Sequence, residues 1–285
     1  MLSIQSHVAY GHVGNSAAVF PLQRLGHEVW PVLTVHFSNH TGYGAWRGPL
    51  LGAGTVRDVV AGIEERGVLG QVDAVLSGYQ GSPDVAAAVV EAVAKVKAAN
   101  PAATYTCDPV MGNAGSGCFV DPAIPPIIRE QVVPAADVIT PNQFELGFLV
   151  GAELAGGRRG SLDEVLDAAA QARAMGPSTV LVTSVEPDGA PAEELSMLAV
   201  TGDGAWMVTT PRLPMKANGS GDVTAALFTA HLAAAGPEEA LGRTAASVFG
   251  LLSATLESGE RELRVVGAQE QYVAPSRTFE VVRVG

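Results

Sequence analysis

The ten residues "NGSGDVTAAL", 218–227, set two glycines, a serine and an aspartate ahead of an apolar run that reads as a buried helix. A helix start carries unpaired N–H groups and partial positive charge, so it suits an anion. Asp222 at that position is either a cap for its own helix or a base held beside a bound phosphate. Glycines let a backbone approach a ligand closely, and the N–H groups of Gly219, Ser220 and Gly221 point out of the turn toward it. What surrounds this stretch decides both the fold and the reading of the aspartate.

Working outward, Val223, Ala226, Leu227 and Ala230 share one face of the helix that the stretch begins. A second helix opens on Pro237-Glu238-Glu239 and carries Leu241, Ala245, Val248, Phe249 and Leu252. Upstream, "ELSMLAVT" and "AWMVTT" flank "GDG" and read as an antiparallel hairpin. Earlier still, the short runs "MLSIQS", "HEVWPVLTV", "DAVLSGY", "ATYTCDP", "ADVITPN" and "STVLVTS" alternate with helical patterns. The helix over 85–99 lines up Val89, Val93 and Val96 and stops at Asn100-Pro101, and the Ala-rich one over 161–175 stops at Gly176-Pro177. Several strands are apolar on both faces, as parallel strands covered by helices are. The pattern predicts an α/β fold, a central mostly parallel sheet with helices on both faces, in a single domain spanning 1–285.

Each strand that reads as parallel ends in small polar residues: Ser6, Ser77-Gly78, Asp108-Pro109, Thr140-Pro141-Asn142 and Thr183-Ser184. Ligands of open α/β sheets sit outside the carboxyl ends of the strands, so these residues are expected to meet in one cleft. Asp108 opens the glycine-rich "DPVMGNAGSG" and reads either as a turn initiator or as a carboxylate that holds a cation. Asn142 and Glu145 have the spacing of a capping box, yet the same topology puts Glu145 at the cleft. Two carboxylates facing a polyphosphate require a divalent cation between them. The segments "QSHVAYGHVGN", 5–15, and "FSNHTGYGAW", 37–46, follow strands and have the hydroxyls, aromatics and glycines of loops that hold a small polar ring. Their histidines lack supporting carboxylates or cysteines and read as structural.

Composition narrows the classes further. The 285-residue chain carries a net charge of −12 with only three lysines, Lys95, Lys97 and Lys216, which argues against nucleic acid. Cys107 and Cys118 show neither a disulfide framework nor metal-ligand spacing. No apolar run reaches the ~20 residues of a bilayer span, and the start of the sequence lacks a signal-peptide pattern. A soluble, cytoplasmic protein is the expectation. The P-loop motif is absent, and no "GxGxxG" opens a helix after a strand.

Taken in order, "SIQSHVAYGHVGNSAAVFPLQRLG", "FSNHTGYGAW", "VLSGYQG", "CDPVMG", "TPNQFEL" and "GSGDVTAAL" resemble the pyridoxal kinase family of the ribokinase-like superfamily over nearly the whole chain. The first two blocks are specific to the pyridoxal branch; the later ones fit many ribokinase-like kinases. The resemblance implies transfer of the γ-phosphoryl of ATP to the 5′-hydroxyl of pyridoxal, giving pyridoxal 5′-phosphate in vitamin B6 salvage. It implies a ribokinase-like single domain, a homodimer, Mg²⁺ and a monovalent cation such as K⁺. By the same resemblance Asp222 is the catalytic base, and Gly219, Ser220 and Gly221 form the anion hole. Ser6, Thr41, Gly42 and Tyr79 join Asp222 as pyridoxal contacts. Asp108, Thr140, Glu145 and Thr183 are ATP contacts, with Thr210, Pro211, Arg212 and Leu213 on the nucleotide side and Asp108 and Glu145 at the metal.

Three positions depart from the family pattern. Asn113 stands where a number of relatives carry aspartate, Thr183 where some carry lysine, and the stretch from Pro211 to Asn218 is short. Cys118, in the glycine-rich loop, reads as an unreactive small residue or as a thiol able to add to an aldehyde. A hydroxymethylpyrimidine kinase shares the "DPVM" and "GxGD" blocks, but "SNHTGYG" speaks against it. A vitamer-binding protein without catalysis is the alternative from another class, and it has no need of "GSGD" together with Asp108 and Glu145.

Overall fold

In this computed structural model, which describes residues 1–152 and 160–285, apolar runs and helical patterns alternate from the first residues onward. The chain opens with β1 (Leu2–Tyr10), α1 (Asn15–Arg24), β2 (Trp30–Asn39) and a single helical turn at Thr41–Tyr43. Then come α2 (Ala53–Glu64), β3 (Ala74–Ser77), α3 (Pro83–Ala99) and β4 (Thr104–Cys107). A small hairpin of β5 (Gly112–Asn113) and β6 (Gly117–Cys118) leads to α4 (Ile124–Ile127) and α5 (Val133–Ala135). Next are β7 (Val138–Ile139), α6 (Gln143–Val150), α7 (Leu162–Ala174) and β8 (Thr179–Val185). The last part holds β9 (Glu194–Val200), β10 (Ala205–Pro211), α8 (Ser220–Ser258), α9 (Glu270–Val273) and β11 (Val281–Arg283).

Among the described residues, nine strands form one sheet in the order β11-β10-β9-β8-β7-β4-β3-β1-β2. From β2 to β8 all pairs are parallel; β8–β9, β9–β10 and β10–β11 are antiparallel. The hairpin expected around "GDG" is β9–β10, closed by the Gly204 carbonyl accepting from Thr201 N–H at 2.9 Å. One face of the sheet is covered by α2, α3 and α7, which bury Val56, Val89, Val93 and Ala169 against Ile4, Val75 and Tyr105. The other is covered by α1 and α8, through Leu22 and Ala226 against Leu76 and through Phe228 and Leu241 against Leu181 and Val208. α8 breaks at Gly236 (φ 76°, ψ 175°) just before Pro237, which gives the two arms that the sequence predicts.

Two expectations change. The segments read as loops from residues 5 and 37 begin later, because β1 and β2 run on to Tyr10 and Asn39. Beyond Ile4, β1 no longer pairs with β3, but His7, Val8 and Tyr10 pair with His36, Phe37 and Asn39 after a register shift at Gln5–His7. Each extension thus finds backbone partners in the other, and the two form a ribbon past the sheet edge. The β5–β6 hairpin and β11 are too short to carry a periodicity that sequence reading detects. The parallel order reverses between β1 and β3, so the switch point lies over their carboxyl ends, on the edge where Ser6, Ser77, Asp108 and Thr140 emerge. Among the described residues no helix is long and apolar enough to cross a membrane.

Candidate active site

The tip of α8 is built around Gly219. It holds φ 89°, and a Cβ there would stand 1.8 Å from the His12 carbonyl oxygen, so any side chain is excluded twice over. The first helical bond runs from Val223 N–H to Gly219 O at 3.0 Å, which leaves the N–H groups before it outside the helix ladder. Ser220 spends its hydroxyl on Ala217 O at 3.0 Å, fixing the turn. Asp222 is half-buried. Its carboxylate lies close to its own N–H and to the N–H of Gly14 at the start of α1, and both favour its charged form. Burial pushes it up to about 6, and those two donors oppose the rise. Gly14 has φ 53°, and a Cβ on it would lie 2.3 Å from Ser6 Oγ. Ser6, buried at the β1–β2 register shift, is therefore linked to Asp222 through a single glycine.

Asp108, at the end of β4, faces this tip: a Cβ at Gly221 would stand 4.0 Å from its Oδ2. Thr140 Oγ1 donates to Asp108 Oδ1 at 3.1 Å. Burial first, then the neighbouring Glu145 and Asp222 carboxylates, hold the Asp108 carboxyl well above the usual range. Glu145 does form the capping box with Asn142. Its Oε2 accepts from Asn142 N–H at 3.0 Å, and its Oε1 from Met111 and Gly112 N–H at 2.9 and 3.2 Å. Burial nevertheless pushes it up to about 7, against those donors and with Asp222 adding to the rise. A capping box and a buried place beside Asp108 thus coincide in one residue. Asn113 accepts from Gly115 and Ser116 N–H, so its side chain holds the hairpin turn. Cys118 is exposed on that hairpin, and Cys107 is buried and unpaired.

Beside the tip a cavity of about 550 Å³ is lined by Thr210, Pro211, Arg212, Leu213, Lys216 and Ser220, with Met197, Val248 and Phe249 on its apolar wall. The Arg212 guanidinium turns toward the hairpin: it donates to Ala192 O and Glu194 O and pairs with Glu186 at 2.8 Å. Thr183 N–H donates to Pro141 O at 2.9 Å and bridges to Asn142, which draws the end of β8 against the Thr140 loop. Ser184, beside it in the β8–β9 irregularity, has φ 53°, and among the described residues no other non-glycine has a positive φ. Strain of that kind collects at functional sites. Nothing in the local sequence signals it.

Facing the tip from the other side are the segments that follow β1 and β2. Thr41 and Gly42 occupy the exposed turn after β2, and a Cβ at Gly42 would lie 3.2 Å from Asn218 Nδ2, next to Gly219. Tyr79 is half-buried against Val8, Val35 and Phe37, and Thr34 Oγ1 donates to its carbonyl at 2.8 Å. The structure brings Ser6, Gly42, Asp108 and the 210–213 cavity to the tip of α8 and Thr140, Glu145 and Thr183 to the loop beside it, while Tyr79 packs on the β1–β2 ribbon and the Arg212 side chain is committed elsewhere. Glu262 is a member that the sequence did not announce, since its partners lie at least 219 positions away.

The oxygen-only donor set of Asp108, Glu145 and Thr140 suits a hard divalent ion. Among the described residues no three His, Cys, Asp or Glu side chains gather to hold a metal by themselves. An ion here would therefore share its coordination with phosphate oxygens and water.

Fold and site together define an ATP-dependent kinase of the ribokinase-like class. A family model described as phosphomethylpyrimidine kinase matches residues 69–265. A pyridoxal kinase PdxY of Leifsonia xyli is 65% identical over 286 residues, covering 100% of this chain and 99% of that one. One of Corynebacterium diphtheriae is 56% identical over 285 residues, with 100% and 99% covered. The pyridoxal kinase of Leishmania donovani solved in complex with ADP and pyridoxamine has a TM-score of 0.92 at 30% identity, covering 100% of this chain and 99% of that one. The chain belongs to the pyridoxal kinase family. The family model begins after "QSHVAYGHVGN" and "FSNHTGYGAW", so it rests on the blocks that the pyrimidine kinases share.

Proposed function

We propose that this chain transfers the γ-phosphoryl group of ATP to the 5′-hydroxyl of pyridoxal, forming pyridoxal 5′-phosphate and ADP in vitamin B6 salvage. The observation that carries the reading is the Asp222 carboxylate, seated on a glycine-rich helix tip, joined through Gly14 to Ser6 and facing Asp108. Asp222 orients the 5′-hydroxyl and accepts its proton as the new P–O bond forms and the bond to ADP breaks. The N–H groups of residues 219–221 stabilise charge on the phosphoryl oxygens, a donor set in which each member is typically worth ~3–4 kcal/mol. Ser6, Thr41, Gly42 and Tyr79 hold the pyridine ring. Thr140, Thr183 and the segment 210–213 hold ATP, Arg212 through its backbone.

Asp108 and Glu145 would hold Mg²⁺, Glu145 through water because its oxygens already accept three backbone N–H groups. Bound there, the ion neutralises polyphosphate charge. The chain works as one domain over 1–285 and as a cytoplasmic homodimer with a monovalent cation such as K⁺; likeness to the family supports these points.

A coupled assay with ATP, Mg²⁺ and pyridoxal, pyridoxine, pyridoxamine or hydroxymethylpyrimidine in turn tests the acceptor. Turnover of pyridoxal above the pyrimidine alcohol by tenfold or more in kcat/KM is expected. Preference for the pyrimidine, or binding of pyridoxal without turnover, would contradict the proposal.

A further inference from the structure

Glu262 lies just past the end of α8 with its side chain only 11% exposed. Its Oε1 accepts from Tyr43 Oη at 2.7 Å and pairs with His40 Nε2 at 3.0 Å, while its Oε2 accepts from His12 N–H at 3.1 Å. Gly11 makes room for it: a Cβ there would lie 2.3 Å from Oε2. Arg261 adds a second tie, with its guanidinium 3.7 Å over the Tyr43 ring and a hydrogen bond to Gly42 O at 3.2 Å.

The turn these residues hold, Thr41–Tyr43, contains no buried residue. An exposed turn without an apolar anchor has little to fix it except such polar ties. The other loop held by Glu262 leads straight to the tip of α8, because the His12 carbonyl is the group that abuts Gly219. Leu263 completes the contact, 3.3 Å from where a Gly219 Cβ would stand. One carboxylate thus fastens both vitamer-side loops and braces the helix tip between them.

We infer that Glu262 is a positioning residue for the acceptor: it locks the 40–43 turn and the exit of β1 at a fixed distance from the tip of α8. It touches neither the 210–213 cavity nor Asp108 or Glu145, and it meets the helix tip only through the His12 carbonyl and Leu263, so its effect falls chiefly on the acceptor. This rests on the acceptor half of the function proposed above. Three donors converge on the carboxylate, and hydrogen bonds to a charged group are the stronger kind. Loss of the charge therefore shows as a rise in acceptor KM of about tenfold or more.

The test compares Glu262→Gln, which keeps the shape, with His40→Gln and Tyr43→Phe. In Glu262→Gln the KM for pyridoxal is expected to rise about tenfold or more while the KM for ATP stays within about twofold and the melting temperature barely moves. The two partner variants give smaller rises that do not add to that of Glu262→Gln. An unchanged pyridoxal KM, or both KM values rising with a lowered melting temperature, overturns the inference in favour of a general structural anchor. Amide exchange of the free protein reads the latch without turnover. Faster exchange at 10–14 and 40–44 with unchanged protection in α8 supports it, and unchanged exchange in both loops overturns it. Were the wild type to phosphorylate a different alcohol, the acceptor assignment alone would fall, and exchange would still decide the role of Glu262.

Discussion

At the residue scale, the proposed transfer needs a carboxylate that is ionised and so able to accept a proton. Burial raises Asp222 from an ordinary 3.8 to about 6, so a larger fraction is protonated, and idle, in mildly acidic solution. We expect kcat/KM for pyridoxal to be level above about pH 7 and to fall about tenfold per unit below about pH 6. An acid limb near pH 4 would place an unperturbed group in the role. The same shift has a sign for stability. A carboxyl raised in the folded state favours folding most below its unfolded value of 3.8, and this contribution is lost as pH rises through about 6. Asp222→Asn, a neutral isostere, should therefore melt no lower than the wild type at pH 8, where function and stability pull apart.

At the scale of elements, the two glycines that flank Ser220 answer to different constraints. Gly219→Ala meets both a left-handed φ and the His12 carbonyl at 1.8 Å, so it displaces the tip. The backbone penalty alone is roughly 1–2 kcal/mol, and a melting-temperature loss together with a hundredfold or greater drop in kcat is expected. Gly221→Ala fits the free protein, with Asp108 Oδ2 4.0 Å away, and alanine narrows the unfolded chain's freedom, worth about 0.4–1 kcal/mol. It should keep or raise stability while lowering kcat, because the methyl group projects toward the carboxylates across the space left for a phosphoryl group. Equal losses of stability in both variants would mean that the tip is shaped by packing alone. Sequence reading reached the elements that announce themselves locally. The β9–β10 hairpin follows from its alternation around "GDG", the break in α8 from Gly236-Pro237, and the α6 cap from Asn142 and Glu145. It did not reach Ser184, whose strain belongs to a β8–β9 irregularity, nor the extension of β1 past Ser6, which only pairing with β2 sustains. Glu262 was hidden for the same reason: a glutamate in a polar stretch acquires meaning only from partners at residues 12, 40 and 43.

At the scale of the whole molecule, a chain of net charge −12 and three lysines must handle a polyanion beside its own buried acids. The fold resolves this by geometry. The parallel strands from β1 to β8 deliver Ser6, Asp108, Thr140 and Thr183 to one edge, and α8 brings its positive end to the same place. In the proposed function, helix N–H groups and a divalent ion would take the place of the lysines, of which the chain has three. Turnover and nucleotide binding of Asp222→Asn, measured side by side at pH 8, test this most directly. The account predicts a loss of kcat of about a thousandfold or more with ATP affinity within about threefold of the wild type. A near-normal kcat in that variant would show that the acid at the helix tip takes no part in the transfer.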